Sequence, residues 1–355
     1  MVSPTIQVLI PVTLAFIIGI IITPLLTHYL YKFKAWKKRA GKIALNGSPA
    51  ENFNALHKET EVRAPRFGGI VVWGSVLITT LLLGLLSPLS PTFKSLNFLS
   101  RSETWIPLAA MLAGALFGFV DDVLTVRPEA RGLPLSFRLS IVALLSAIGG
   151  LWFYLKLGVT SVDIPFGAPL ELGFFVVPLF MLVSLGLYAS GVIDGIDGLS
   201  GGVFAAIFAS YTLIAFSYGE VDLSAFCGAT VGGLLAFLWF NIPPARFYMS
   251  DTGTMALTLS LSVVAFMTDT LGGGVGIAVL PIVGMLLVVT VLSNILQVSW
   301  RMVFNKKLLR IAPLHHHFEA LGWPGYKVVM RYWILSIMFA FAGVILALSA
   351  VKIGL

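Results

Sequence analysis

Apolar residues in this chain gather into long unbroken runs, separated by short polar stretches, rather than recurring at the half-buried spacings of a water-soluble fold. A helix needs roughly 20 apolar residues to cross the hydrocarbon core of a bilayer. Ten stretches meet or approach that length, near 6–30, 68–87, 105–120, 137–155, 174–190, 199–217, 224–240, 252–268, 275–300 and 332–351. The pattern predicts an all-α polytopic membrane protein of about ten transmembrane helices, built as a single integral membrane domain over residues 1–355. No loop is long enough to hold an inserted soluble domain, and no internal repeat stands out.

Composition agrees with this reading. Hydrophobic residues make up 58% of the chain and charged residues 11%, against about 25% charged in a soluble domain. The first lysine is Lys32, after the apolar run, so the start lacks the basic region of a cleaved signal peptide and is expected to remain as a span. A lone cysteine, Cys227, excludes an internal disulfide. The net charge of +7 fits loops that set topology and meet anionic headgroups, not a nucleic-acid surface.

Assigning the loops alternately to two sides puts 19 Lys and Arg on one side and only Lys94, Arg101, Lys156 and Lys352 on the other. Positively charged loops stay in the cytoplasm, so both termini are expected outside and five loops inside. The acids sort the same way. Glu103, Asp163, Glu171, Glu220, Asp222 and Asp269 scatter over the outer side, whereas Asp121, Asp122, Asp194, Asp197 and Asp251 fall on the cytoplasmic side. The functional chemistry is therefore expected at that face.

Four motifs carry that chemistry. Phe117-Gly-Phe-Val-Asp-Asp122 sets two adjacent carboxylates at the expected end of the third span. Acids at a helix C-terminus oppose the helix dipole, so local stability does not explain them. Neighbours on a helix diverge by about 100°, so the pair cannot form one simple clamp. Asp194-Gly-Ile-Asp-Gly198 is a glycine-rich turn whose Gly195 allows close approach of a ligand to backbone amides, and whose Asp194 and Asp197 can serve magnesium, a ribose or a cation. Asn241 to Thr254 joins two spans and brings an amide, Arg246 and Asp251, the last at a helix start that also favours phosphate. Pro313-Leu-His-His-His-Phe-Glu319 places three contiguous histidines beside Lys306, Lys307 and Arg310. Contiguous side chains cannot all face one ion from a helix, so a pyrophosphate contact suits them better than zinc. Together these groups match the needs of phosphoryl transfer, in which magnesium and positioned cations neutralise a diphosphate.

In this order and between these spans, the motifs resemble those of the polyprenyl-phosphate N-acetylhexosamine-1-phosphate transferase superfamily, and within it the phospho-N-acetylmuramoyl-pentapeptide transferase family. The resemblance runs from Pro65-Arg-Phe-Gly-Gly69 to the last span. Its most discriminating part is Ala312-Pro-Leu-His-His-His-Phe-Glu319, continued by Gly322-Trp-Pro324 and Arg331-Tyr-Trp-Ile-Leu-Ser336. It implies a magnesium-dependent enzyme of the bacterial inner membrane, acting as a homodimer, that joins phospho-N-acetylmuramoyl-pentapeptide from its uridine-diphosphate donor to undecaprenyl phosphate. UMP and lipid I would be the products. It further implies that Asp251 is the metal ligand and that Asp121, Asp122, Asp251 and His316 are catalytic, with Asp121 as the base toward the acceptor. Asp194, Gly195, Asp197, Asn241, Gln297, His315 and His317 would bind substrate.

The chain departs from the family pattern at several points. The family usually has asparagines where this chain has Tyr188 and Gly191, a lysine near Thr125 or Val126, a glycine at Ser250, and Pro-Thr-Met-Gly-Gly at 65–69. Arg66, Arg127 and Arg138 are the candidates to replace the lysine charge. Arg66 favours an N-acetylglucosamine-1-phosphate transferase as the alternative within the superfamily, and the triple histidine opposes it. A transporter, whose ionisable residues belong at the midplane, and a lipid-phosphate-binding paralogue without turnover are the readings outside it.

Overall fold

The computed structural model describes residues 2–38, 41, 54, 62–100, 103–127 and 132–350. Arg101, Lys352 and most of the 31–67 loop that entered the charge asymmetry lie outside the described residues. The chain forms α1 (Pro4–Lys32), α2 (Gly69–Leu86), a short α3 (Pro91–Leu96), α4 (Trp105–Val126), α5 (Leu135–Lys156), α6 (Val176–Ser190), α7 (Leu199–Ser217) and α8 (Val221–Asn241). There follow α9 (Ser250–Gly272), α10 (Gly276–Val283), α11 (Met285–Phe304), α12 (Leu314–Ala320) and α13 (Gly325–Ser349). Two-residue strands β1 (Ser161–Val162) and β2 (Leu170–Glu171) pair antiparallel between α5 and α6. Among the described residues, ten helices are long and apolar enough to cross a membrane.

Three of the expected spans differ in extent. The third runs on to Val126, so Asp121 and Asp122 lie inside α4, more than a turn before its end. The helix stops at Arg127, whose extended backbone (φ −69°, ψ 144°) is what a residue preceding a proline prefers. The run near 275–300 is broken at Gly284 into α10 and α11, and only α11 has the length of a span. The tenth begins at Gly325 rather than near 332, started by Pro324.

The outer helices present large apolar side chains such as Leu25, Leu85 and Leu155 on their exposed faces, the arrangement that hydrocarbon, not water, favours. The centre is α9, with 94% of its spanning window buried. It carries many hydroxyls, and several bond back to their own helix: Thr254 to the Ser250 carbonyl, Thr258 to that of Thr254, Ser262 to that of Thr258, at 2.7–3.1 Å. This is how a polar helix is tolerated where water is absent.

α4 packs closely along α9, and α1 along α8. Gly118 allows the first contact. A Cβ there would stand 2.1 Å from the Asp251 carbonyl oxygen, which is backbone and cannot swing aside. The absence of that one carbon brings the Asp121–Asp122 turn of α4 against the Asp251 end of α9.

Candidate active site

The segment before α2 is tied to the segment before α9 by backbone pairing. Tyr248 N donates to the Pro65 carbonyl at 2.9 Å, Gly68 N to that of Tyr248 at 2.8 Å, and Gly69 N to that of Met249 at 3.2 Å. Arg66 is thereby fixed beside the start of α9. Its Nε donates to Asp122 Oδ1 at 2.6 Å, and its Nη2 to Asp251 Oδ2 at 3.2 Å. From α5, Arg138 Nη1 reaches Asp121 Oδ2 at 3.2 Å and lies 3.6 Å from Asp251 Oδ1. Two guanidiniums thus bridge three carboxylates drawn from two helices. Burial works against the charge on Arg66, but Asp122 and Asp251 outweigh it and hold the group protonated above its ordinary range.

The three aspartates are not equivalent. Asp122 is fully buried, and besides Arg66 it accepts from Ser250 Oγ at 2.6 Å, Thr252 N at 2.9 Å and Thr252 Oγ1 at 2.6 Å. Asp121 is buried and accepts from Leu133 N at 2.5 Å as well as from Arg138. The Asp251 side chain is 23% exposed and held by ion pairs of 3.2 and 3.6 Å, with no contact as short as the 2.6 Å pair of Asp122. Among the described residues no three His, Cys, Asp or Glu side chains converge as a ready-made metal cage. The donor set still fits magnesium, which is commonly held by one or two carboxylates with water and substrate phosphates. Asp251 is the carboxylate with an open side to offer.

The glycine-rich turn adjoins this cluster through Ser250. Ser250 N donates to Asp194 Oδ2 at 2.7 Å, and Ser200 Oγ to Asp194 Oδ1 at 2.7 Å. Burial raises the Asp194 pKa, and these two hydrogen bonds oppose it. Asp197 Oδ2 accepts from Ala245 N at 3.0 Å. Asn241 is buried, receiving Gly198 N on its Oδ1 and donating from Nδ2 to the Phe247 carbonyl, both at 2.8 Å. Trp333 Nε1 donates to the Gly198 carbonyl at 3.0 Å. The turn is thus braced from α8 and α13.

α12 roofs the turn. His315 and His316 are buried with rings 4.3 Å apart, and a Cβ on Gly195 would meet His316 Nε2 at 2.6 Å and His315 Nε2 at 2.8 Å. Glycine is therefore the residue that lets both rings reach the turn. His316 Nδ1 is paired with Glu319 Oε2 at 2.7 Å, which fixes the ring and leaves Nε2 toward Gly195. His317 points elsewhere, accepting the Arg310 amide at 3.1 Å. Gln297 is occupied by the backbone of Leu309, with its Oε1 accepting at 2.8 Å and its Nε2 donating at 3.1 Å. Both brace the loop between α11 and α12, whereas the other nine expected site residues line one continuous polar array. Ser250 and Thr252 belong to that array and were not singled out as site residues from sequence. Their position on either side of Asp251 is the signal that could have found them.

Residues 104–269, which carry all five aspartates of the array and Asn241, match the family described as glycosyl transferase family 4. Over 339 residues the chain is 32% identical to a phospho-N-acetylmuramoyl-pentapeptide-transferase of Geobacillus sp. strain WCH70, covering 94% of this chain and 95% of that protein. Proteins of the same name are 32% identical in Francisella tularensis, over 89% of this chain and 86% of theirs, and 36% identical in Granulibacter bethesdensis, over 79% and 78%. The chain belongs to the phospho-N-acetylmuramoyl-pentapeptide-transferase family. Within that family's length the polar array sits on helices α4, α5, α8 and α9 and on the segments around them, and Arg66 and the histidines enter it from outside the matched stretch 104–269.

Proposed function

We propose that this protein transfers phospho-N-acetylmuramoyl-pentapeptide from UDP-N-acetylmuramoyl-pentapeptide to undecaprenyl phosphate, yielding lipid I and UMP. The observation that carries this reading is the convergence of Asp121, Asp122 and Asp251 with Arg66 and Arg138 beside a braced glycine turn, in a chain of this family. The protein is one integral transferase unit over 1–355, sits in the bacterial inner membrane as a homodimer with both termini outside, and works at its cytoplasmic face. The charge asymmetry of the loops supports that orientation.

In this reading Asp251 holds magnesium through its open side. The ion would neutralise the donor diphosphate and make its phosphoryl group a better electrophile. Asp122, saturated with four donors, fixes the start of α9 and so aims Asp251. Asp121 takes the proton of the acceptor phosphate, and Arg138, bonded to the same carboxylate, draws the acceptor's negative charge to it. The turn at 194–198 and the Nε2 faces of His315 and His316 receive the nucleotide side of the donor, where backbone amides and imidazoles can donate to phosphate in place of their resting contacts. Direct attack by the lipid phosphate needs no added nucleophile, since both reactants are held at one site.

UMP release from UDP-N-acetylmuramoyl-pentapeptide and undecaprenyl phosphate by the detergent-purified protein tests this. Magnesium-dependent release that disappears in Asp251→Ala is expected. Release from UDP-N-acetylglucosamine alone would overturn the substrate, and a folded protein silent with both donors would overturn the activity.

A further inference from the structure

The Asp251 carboxylate has a positive charge near each oxygen: Arg66 Nη2 at 3.2 Å from Oδ2 and Arg138 Nη1 at 3.6 Å from Oδ1. Both oxygens are thus already paired, so an ion that reaches this partly exposed carboxylate meets two cations beside it. The two anchors of Arg66 also differ. Its Nε–Asp122 contact is 2.6 Å long and made to a fully buried carboxylate, whereas its Nη2–Asp251 contact is 3.2 Å long and made to a partly exposed one. The backbone of Arg66 is held by its own N–H to the Ala35 carbonyl at 2.8 Å and by the neighbouring pairing with Tyr248. With the backbone held, the long contact to Asp251 is the one the guanidinium gives up more readily, and the short one to Asp122 is the one it keeps.

Formal charge shows what such a release would do. Three carboxylates face two guanidiniums, leaving one negative charge in a site largely closed to water. A divalent ion alone would reverse that to one positive charge, and an isolated charge in low dielectric is costly. An ion that arrives with a diphosphate bearing two negative charges restores the original balance. The diphosphate also gives the displaced guanidinium an acceptor of suitable geometry, because arginine's planar fork matches phosphate oxygens.

We propose that Arg66 is a built-in cation that keeps Asp251 occupied until the donor arrives, so that metal and diphosphate bind together and Arg66 passes from Asp251 to the diphosphate. Arg66 is then a positioning residue that makes the resting site reject the bare ion. The inference rests on the reading of Asp251 as the metal ligand.

Manganese binding to the stripped, full-length protein in detergent tests it, read from the EPR signal of the free ion with and without uridine diphosphate. The wild type is expected to bind manganese about tenfold or more tightly once the nucleotide is present. Arg66→Gln should bind the bare ion about tenfold or more tightly than the wild type and lose most of the nucleotide's effect. Arg66→Lys keeps the charge and should restore weak binding of the bare ion. Equal affinity with and without nucleotide in the wild type overturns the proposal. So does an Arg66→Gln protein of wild-type melting temperature whose bare-ion affinity is unchanged or weaker. If Arg66→Gln does not fold, nucleotide-independent binding in both the wild type and Arg66→Lys overturns it equally. Asp251→Ala separates the two levels: manganese binding that survives there overturns the metal reading itself, whereas binding that needs Asp251 but ignores Arg66 overturns this inference alone.

Discussion

Ser250 donates its hydroxyl to Oδ2 of Asp122 at 2.6 Å, joining residues 128 positions apart in the chain. The same hydroxyl accepts the Phe67 amide at 3.0 Å, and the Ser250 amide goes to Asp194. One residue thus links the segment before α2, the paired aspartates of α4 and the glycine turn. It does so with φ at 54°, in the left-handed region where glycine is most at ease.

Ser250→Ala keeps the backbone strain and removes both hydroxyl bonds, leaving a buried carboxylate oxygen one donor short. A loss of about 1–3 kcal/mol is expected. Ser250→Gly loses the same bonds but gains back about 1 kcal/mol of strain, so it should be the milder change. Melting of the two variants in one detergent compares them, and a Gly variant less stable than the Ala variant would contradict the assignment.

Gly118→Ala should cost activity more than stability. The new Cβ meets the Asp251 carbonyl at 2.1 Å, so α4 must move off α9 by an amount comparable to a bond length. A misplacement of about 1 Å at a reacting site can reduce turnover about 100-fold. Gly186→Ala, which meets nothing within 4 Å, is the control and should behave as wild type in the UMP assay.

Asn241→Leu should be severe for a different reason. It strips the partners from the Gly198 amide and the Phe247 carbonyl together, each costing about 1–3 kcal/mol when left unmade in a buried place. If Asn241 instead contacts the donor alone, the variant will fold normally and only its KM will rise.

At the opposite end of the molecule Glu220 is pushed up to about 7, first by burial and then by Glu103 and Asp222. The folded state therefore holds this proton more tightly than the unfolded chain, whose glutamate titrates near 4.5. Stability from this group is complete below that value and is lost as pH rises through about 7. Unfolding measured from pH 4 to 8 should show a decline with pH that Glu220→Gln reduces. An unchanged decline would refute it.

Most of the architecture was legible because lipid imposes a simple rule, a long apolar run for each crossing, and the ten runs became ten candidate spans. The errors came where packing, not hydropathy, decides. Asp121 and Asp122 ended the third apolar run, yet the helix carries them inward for another turn because Arg138, Leu133 and Thr252 satisfy them. Gly284 interrupts a run that hydropathy alone reads as continuous. Within the site, residue type pointed to the acids, the glycine turn and three histidines. It could not separate His316, whose Nε2 faces Gly195, from His317, which serves the loop backbone, since adjacent helical positions differ only in direction.

The burial of α9 bears on how the protein is made. Of the ten spans it has the lowest mean hydropathy and the least contact with the surroundings, so it is the one least able to leave the translocation machinery for lipid unaided. The hydroxyls of Thr254, Thr258, Ser262 and Thr268 bond along the helix itself, but Asp251 is paired with Arg66, just before α2, and with Arg138, on α5, both synthesised earlier. The helix that begins with Asp251 therefore enters a membrane where Arg66 and Arg138 already wait, so the aspartate–arginine cluster closes as the bundle's centre is filled.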